Sequence, residues 1–212
     1  LNKFHELNKL HIIYGNHDQV LKHQKKTAKL FHPYFDEVTG SIQPFLPGFH
    51  FDESIIIEFD KYDRTIFLLH GHQADFFNYV LWRLSRFLVR YLWTPLQILG
   101  IKDPTSPAKN FKELLRVEKH LKRWSHENGD QMLIAGHTHR PRFPDVGDTP
   151  YFNDGSCVHP RSITGIEIAE DTVSLIKWHT TSNSDGTLKI VRTVLEGPEK
   201  LDAFLKEKAP HK

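Results

Sequence analysis

Three short groups of residues have the types and spacing to do chemistry: Gly15-Asn16-His17-Asp18, His70-Gly71-His72 and Gly136-His137-Thr138-His139. Asn16 offers an amide oxygen, and His70, His137 and His139 each offer a ring nitrogen. An imidazole ligates metal through one nitrogen while an acceptor at the other fixes its tautomer. This mixed oxygen and nitrogen donor set suits a divalent ion, and the single cysteine of the chain excludes a thiolate-rich zinc site. Two such ions about 3.5–4 Å apart acidify a water between them and clamp a phosphoryl group, which is what cleaving a phosphate ester at neutral pH demands. His17 beside Asp18 is a different pair, in which a carboxylate can orient and charge an imidazole that stabilises a phosphate or protonates a leaving oxygen. In His137-Thr138-His139 the i, i+2 spacing, on an extended strand, would point both rings to one side, and Gly136 would let backbone approach closely.

Each group needs an element that ends where it begins. Leu10 to Tyr14 is a short apolar run closed by glycine, so it predicts a buried strand feeding the Asn16 loop. Ser54 to Phe59 and Thr65 to Leu69 are β-rich runs in a hairpin-like pattern, the second ending at His70, and Gln131 to Ala135 is a strand ending at Gly136. A short helix is expected over Gln19 to Phe31. Between the second and third groups, Phe76 to Ile101 is apolar and aromatic with Arg83, Arg86 and Arg90 on one helical face, and Lys109 to His126 predicts a charged helix after the Pro104 and Pro107 breaks. From Ser162 onward three β-rich stretches, Ser162 to Ile168, Thr172 to Thr180 and Leu188 to Leu195, predict an antiparallel meander, and Pro198 to Lys212 reads as a charged tail with frayed last residues.

Composition narrows the classes. With 28 basic and 26 acidic side chains there is no overall field to mark a nucleic-acid binder, and no basic-aromatic stripe outside residues 76–101 supports that role. Cys157 reads as a structural thiol in a reducing, cytoplasmic setting, and the first ten residues lack the apolar run of a secretory signal.

Taken singly, Gly-Asn-His-Asp could be a turn and His70 a packed or surface histidine. Taken in order, each closing an apolar strand, the three groups resemble the later motifs of the calcineurin-like metallophosphoesterase superfamily. That family's pattern runs Asp-x-His, Gly-Asp-x-x-Asp, Gly-Asn-His-Asp or Glu, a lone His, then Gly-His-x-His, and this chain matches the last three over residues 10 to 170. The resemblance implies an α/β fold, the four-layer α/β/β/α sandwich, as one domain over residues 1–212 with a helical cap inserted at 76–127. It implies that Asn16, His70 and His137 bind one metal and His139 the other, the two divalent ions being manganese, zinc or iron, with His17 and Asp18 as the catalytic pair. Asn153-Asp154-Gly155-Ser156 resembles the Asn-x-Gly-Ser segment that shapes the site in bacterial members.

The first two motifs do not precede Gly15, and the sequence starts at Leu1 with Met132 as its sole methionine. A truncated N-terminus is therefore expected, leaving a chain that binds at most one metal poorly and does not turn over. The long insertion and Thr138-His139-Arg140-Pro141 resemble bacterial enzymes that cleave the pyrophosphate of UDP-diacylglucosamine, whose cap covers acyl chains. Those enzymes commonly carry Arg where His17 stands and His-Gly-Asp where His70-Gly71-His72 stands, so His17 points instead to a general phosphomonoesterase or diesterase. The expected partner is a phosphorylated small-molecule, lipid-linked or protein substrate, with peripheral contact to the inner membrane face through residues 76–101. The alternative is a non-catalytic scaffold on the same fold that binds proteins.

Overall fold

The computed structural model describes residues 1–74 and 111–205, which divide into two units, Leu1–Ile55 and Ile56–Lys212. Helices and sheets are mixed, the α/β class that the sequence predicts. The expected Arg83, Arg86 and Arg90 helix lies outside the described residues, and among those described no helix is long and apolar enough to cross a membrane.

Aromatic side chains build the core of the first unit. Tyr14, Leu46, Phe49 and Phe51 are buried there, and Phe49 meets Phe51 edge to face with ring centroids 4.9 Å apart, the arrangement that ring quadrupoles favour. The strand expected over Leu10 to Tyr14 is only a parallel bridge from Ile13 to Asp52. Tyr14 N–H donates to Asp52 O at 3.0 Å, and pairing then stops because Gly15 to Asp18 folds into a turn closed by Asp18 N–H to Gly15 O at 3.1 Å. Helix α1 spans Asn2–Glu6. The helix expected over Gln19 to Phe31 is split, with a 3-10 turn at Gln19–Lys22 and α2 at Gln24–Leu30, because His23 between them is extended. A hairpin that hydrophobic patterning did not mark, β1 (Tyr34–Asp36) with β2 (Ser41–Gln43), is turned by Asp36, whose carboxylate accepts from Val38 N–H and from the Thr39 hydroxyl.

Strand β3 (Ser54–Ile57), followed by β4 (Ile66–Leu69), β5 (Met132–Ala135) and β6 (Tyr151–Asn153) of the second unit, forms one sheet in that order. Strands β4, β5 and β6 run parallel. Strand β5 is apolar at every position because both its faces are covered. Leu133 and Ala135 pack with Leu69, Tyr151, Val117 and Leu121, the last two from α3 (Phe111–Glu127). Met132 and Ile134 face the opposite way, into a cluster with Tyr62, Ile66, Phe152 and Val173. Each such buried side chain contributes roughly 1.5–3 kcal/mol. Val173 belongs to the expected meander, β7 (Ser162–Ala169), β8 (Thr172–Ser182) and β9 (Leu188–Lys200), which is antiparallel throughout. Helix, parallel sheet and antiparallel sheet are thus stacked within this unit.

Two expectations are corrected here. The charged tail is part of the core as far as residue 205, because Leu201, Phe204 and Leu205 recur at helical spacing and bury their side chains in the Met132 cluster. Cys157 is exposed and packs in no core, since it follows the loop after β6 rather than a strand.

Candidate functional site

Strands β4, β5 and β6 end level with one another. Leu69 pairs with Ala135, and Ala135 with Asn153, so His70, Gly136 and Asp154 leave the sheet side by side at its carboxyl edge, where open α/β sheets place their sites. Gly136 N–H donates to His70 O at 3.1 Å and Asp154 N–H to Ala135 O at 3.0 Å. The crossing is tight: a Cβ on Gly136 would meet Asp154 Oδ1 at 3.1 Å, and one on Gly71 would meet Gly136 O and His137 Cβ, each at 3.3 Å. Gly71 also has φ +98°, so both space and backbone angle require glycine there.

This crossing brings His70 and His137 together, with ring centroids 5.1 Å apart. His72 is the third ring of the group. It is fully buried, lies 5.1 Å from the His70 ring, and has its Nδ1 3.2 Å from Nδ1 of His70. His137 is buried whereas His139 is exposed. The two do not project from an extended strand as expected, because β5 stops at Ala135 and both histidines have left-handed backbones, φ +67° at His137 and +57° at His139. Side-chain alternation holds only along a strand, and these angles turn the chain instead.

Non-glycine residues in that region cost on the order of 1–3 kcal/mol each and persist only where surroundings impose them. Asn153 does so here. Fully buried, it donates through Nδ2 to Gly136 O at 2.8 Å and to Thr138 Oγ1 at 3.1 Å, and its Oδ1 accepts from Gly155 N–H at 3.0 Å. Thr138 N–H in turn donates to Gly136 O at 2.8 Å, closing the bend around His137. Neighbouring Asp154 is reachable by solvent yet ringed by protein on its other sides, and that desolvation pushes its carboxyl up to about 6, its own backbone N–H opposing the shift. Burial likewise pushes the Tyr151 phenol up to about 12.

Asn16, His17 and Asp18 lie in the first unit. Asn16 is half-buried at the turn, and His17 and Asp18 are exposed. Two residues of the site were not assigned roles from the sequence. His72 carried a signal, the same His-x-His spacing as His137 and His139, but an isolated second histidine gives no hint of burial. Asn153 was visible only as part of a segment, and its bonds run across two strands.

A sequence model of the calcineurin-like phosphoesterase superfamily domain matches residues 1–173. The chain belongs to the calcineurin-like phosphoesterase superfamily. No protein of curated function matches it. Solved structures similar to this phosphoesterase-family chain include a single-mutant Vps29 from Entamoeba histolytica, at 19% identity and TM-score 0.32, covering 72% of this chain and 64% of that one. Another is Vps29 from Chaetomium thermophilum, at 11% identity and TM-score 0.34, covering 68% and 59%. A third is a predicted phosphoesterase from Streptococcus pneumoniae TIGR4, at 16% identity and TM-score 0.31, covering 71% and 65%. The chain spans less than two-thirds of each of these.

Members of the calcineurin-like phosphoesterase superfamily generally bind divalent metals, and the donor chemistry of His70 and His137 fits such an ion: two neighbouring imidazoles, both oriented by a rigid strand crossing. Among the described residues no three histidine, cysteine or carboxylate groups are gathered closely enough to enclose an ion.

Proposed function

We propose that this chain carries the histidine side of a divalent-metal centre that hydrolyses a phosphate ester or pyrophosphate. The observation that supports it most is the pairing of His70 with His137 at the ends of adjacent parallel strands, 5.1 Å between ring centroids, in a chain of the calcineurin-like phosphoesterase superfamily. A bound divalent ion would supply positive charge for phosphoryl oxygens and acidify water at neutral pH. His70 and His137 would hold one ion and His139 a second, manganese, zinc or iron all suiting these donors. The chain's own part is preorganisation. Gly71 and Gly136 let two strand ends close on each other, and Asn153 holds the His137 bend, so the rings need not reorganise when a ligand arrives. For Asn16, His17 and Asp18 the roles of metal ligand, phosphate-facing imidazole and orienting carboxylate are proposed on their motif alone. The substrate is proposed as a phosphorylated small molecule, lipid-linked compound or protein.

The test compares the protein with His137→Ala for Mn²⁺ uptake, followed by electron paramagnetic resonance of free Mn²⁺, and for hydrolysis of chromogenic phosphomonoesters and diesters with Mn²⁺ added. Uptake and any turnover should drop together in the variant. Equal Mn²⁺ uptake by the two proteins would sink the assignment.

A further inference from the structure

His72 is a fully buried histidine that the proposed chemistry does not use, and its ring lies against that of a candidate ligand. Its Nδ1 lies 3.2 Å from Nδ1 of His70, with the two rings tilted by 62° and their centroids 5.1 Å apart. At that separation the two nitrogens share one proton: two N–H groups pointed at each other would repel, and so would two lone pairs.

Two arrangements satisfy this. In one, His72 Nδ1–H donates to His70 Nδ1, which forces the proton of a neutral His70 onto Nε2 and leaves that ring no bare nitrogen for a metal. In the other, His70 Nδ1–H donates to His72 Nδ1, leaving Nε2 of a neutral His70 unprotonated and placing the proton of His72 on its Nε2. Only the second is compatible with His70 as a ligand.

We infer that His72 is a positioning residue that accepts the Nδ1 proton of His70 and so fixes His70 in the tautomer whose Nε2 can bind a divalent ion. The inference rests on the metal reading given under the proposed function. It explains why a polar ring is fully buried at this point: a metal-ligating histidine is ordinarily oriented by an acceptor at its second nitrogen, and here an imidazole fills the place usually taken by a carboxylate or carbonyl. The route of the chain brings the two rings close. Gly71 carries φ +98° and His72 opens a 3-10 turn over His72–Ala74, so the backbone reverses within one residue and sets the two rings face to edge.

Long-range ¹⁵N–¹H correlation spectra of the protein, with His70 assigned from the signals lost in His70→Ala, report which ring nitrogen holds each proton. His70 should be protonated at Nδ1 and His72 at Nε2. A proton on Nε2 of His70 in the unsubstituted protein overturns the inference, whatever the variants do. Two substitutions then separate positioning from packing. His72→Phe keeps ring volume but offers no acceptor, and Mn²⁺ affinity should fall about 10–100-fold, while His72→Gln offers an amide oxygen and should restore most of it. Equal affinity losses in the two variants would mean that His72 merely fills space, and the inference fails. A protein with His70 protonated at Nδ1 that nevertheless takes up no Mn²⁺ supports the inference about the pair and refutes the metal reading.

Discussion

Removing the Asn153 side chain should loosen the His137 bend at a stability cost that follows from its hydrogen bonds. Asn153→Ala deletes donation to Gly136 O and Thr138 Oγ1 and leaves the buried Gly155 N–H without its Oδ1 acceptor. Each net bond contributes about 1 kcal/mol and a buried orphaned donor costs about 1–3 kcal/mol, so the loss should be on the order of 3 kcal/mol. In a chain of this size that corresponds to roughly 6–12 °C in melting temperature. Gly136 O keeps Thr138 N–H as a donor, so the strand itself should survive. Asn153→Asp supplies a control with the same shape. It keeps an acceptor for Gly155 N–H but turns a carboxylate oxygen toward Gly136 O, so at pH 8 it should be at least as damaging as alanine. Once protonated at low pH, that carboxyl can donate to Gly136 O, and the gap from the parent protein should narrow. Differential scanning calorimetry at two pH values measures both, and amide exchange at Thr138 should speed up in the alanine variant. A melting temperature for Asn153→Ala within about 2 °C of the parent, or an aspartate variant as stable as the parent at pH 8, would refute the claim that Asn153 imposes this backbone.

Two further expectations concern the frame around the site. The Asp171 carboxyl, at the turn between β7 and β8, is held below the usual carboxylate range by bonds from Lys61 and then from the Tyr62 hydroxyl, the latter at 2.6 Å. A depressed folded-state value means stabilisation that is fully present above the unfolded value of about 4 and lost as pH falls through the lower folded value. Melting of the parent minus Asp171→Asn should therefore be positive at pH 7 and shrink toward zero in strong acid, asparagine being chosen because it tolerates the φ of +63° at this position. A difference independent of pH would contradict the charge-based account. Leu205→Ala should destabilise by about 2–5 kcal/mol, since Leu205 is fully exposed to no solvent and packs beneath the parallel sheet. Urea unfolding within about 0.5 kcal/mol of the parent would return residues 198–205 to the status of a surface tail.

Much of the frame was legible because local pattern and global fold agree. The run Met132 to Ala135 is uniformly apolar, and a four-residue uniformly apolar segment is a strand buried on both faces. The alternating stretches from Ser162 to Leu195 announced their meander, with turn residues Ser182 to Gly186 between the last two, and the structure turns at residues 183–187 between β8 and β9. Where the pattern misled, a competing local bond was responsible. Asp36 capped a hairpin whose strands are too short to show periodicity. The apolar spacing of Leu201, Phe204 and Leu205 was hidden among the charged residues of the same stretch of sequence.

Residue type and order, read along the chain, determined the family and the candidate donors, because Gly-Asn-His-Asp, His-Gly-His and Gly-His-Thr-His are covalent facts that need no folding to be recognised. What the sequence could not determine is which imidazoles meet and in what state. His70 and His137 are 67 positions apart, and only the parallel register of β4 on β5 brings them level. The i, i+2 histidines that looked like one paired unit are split into a buried and an exposed ring by two left-handed residues. That bend is held by Asn153 on a third strand, and His70 meets the buried His72 ring through Nδ1. Backbone angles at such a site are set by contacts between segments remote in sequence, and those exist only once the sheet has formed.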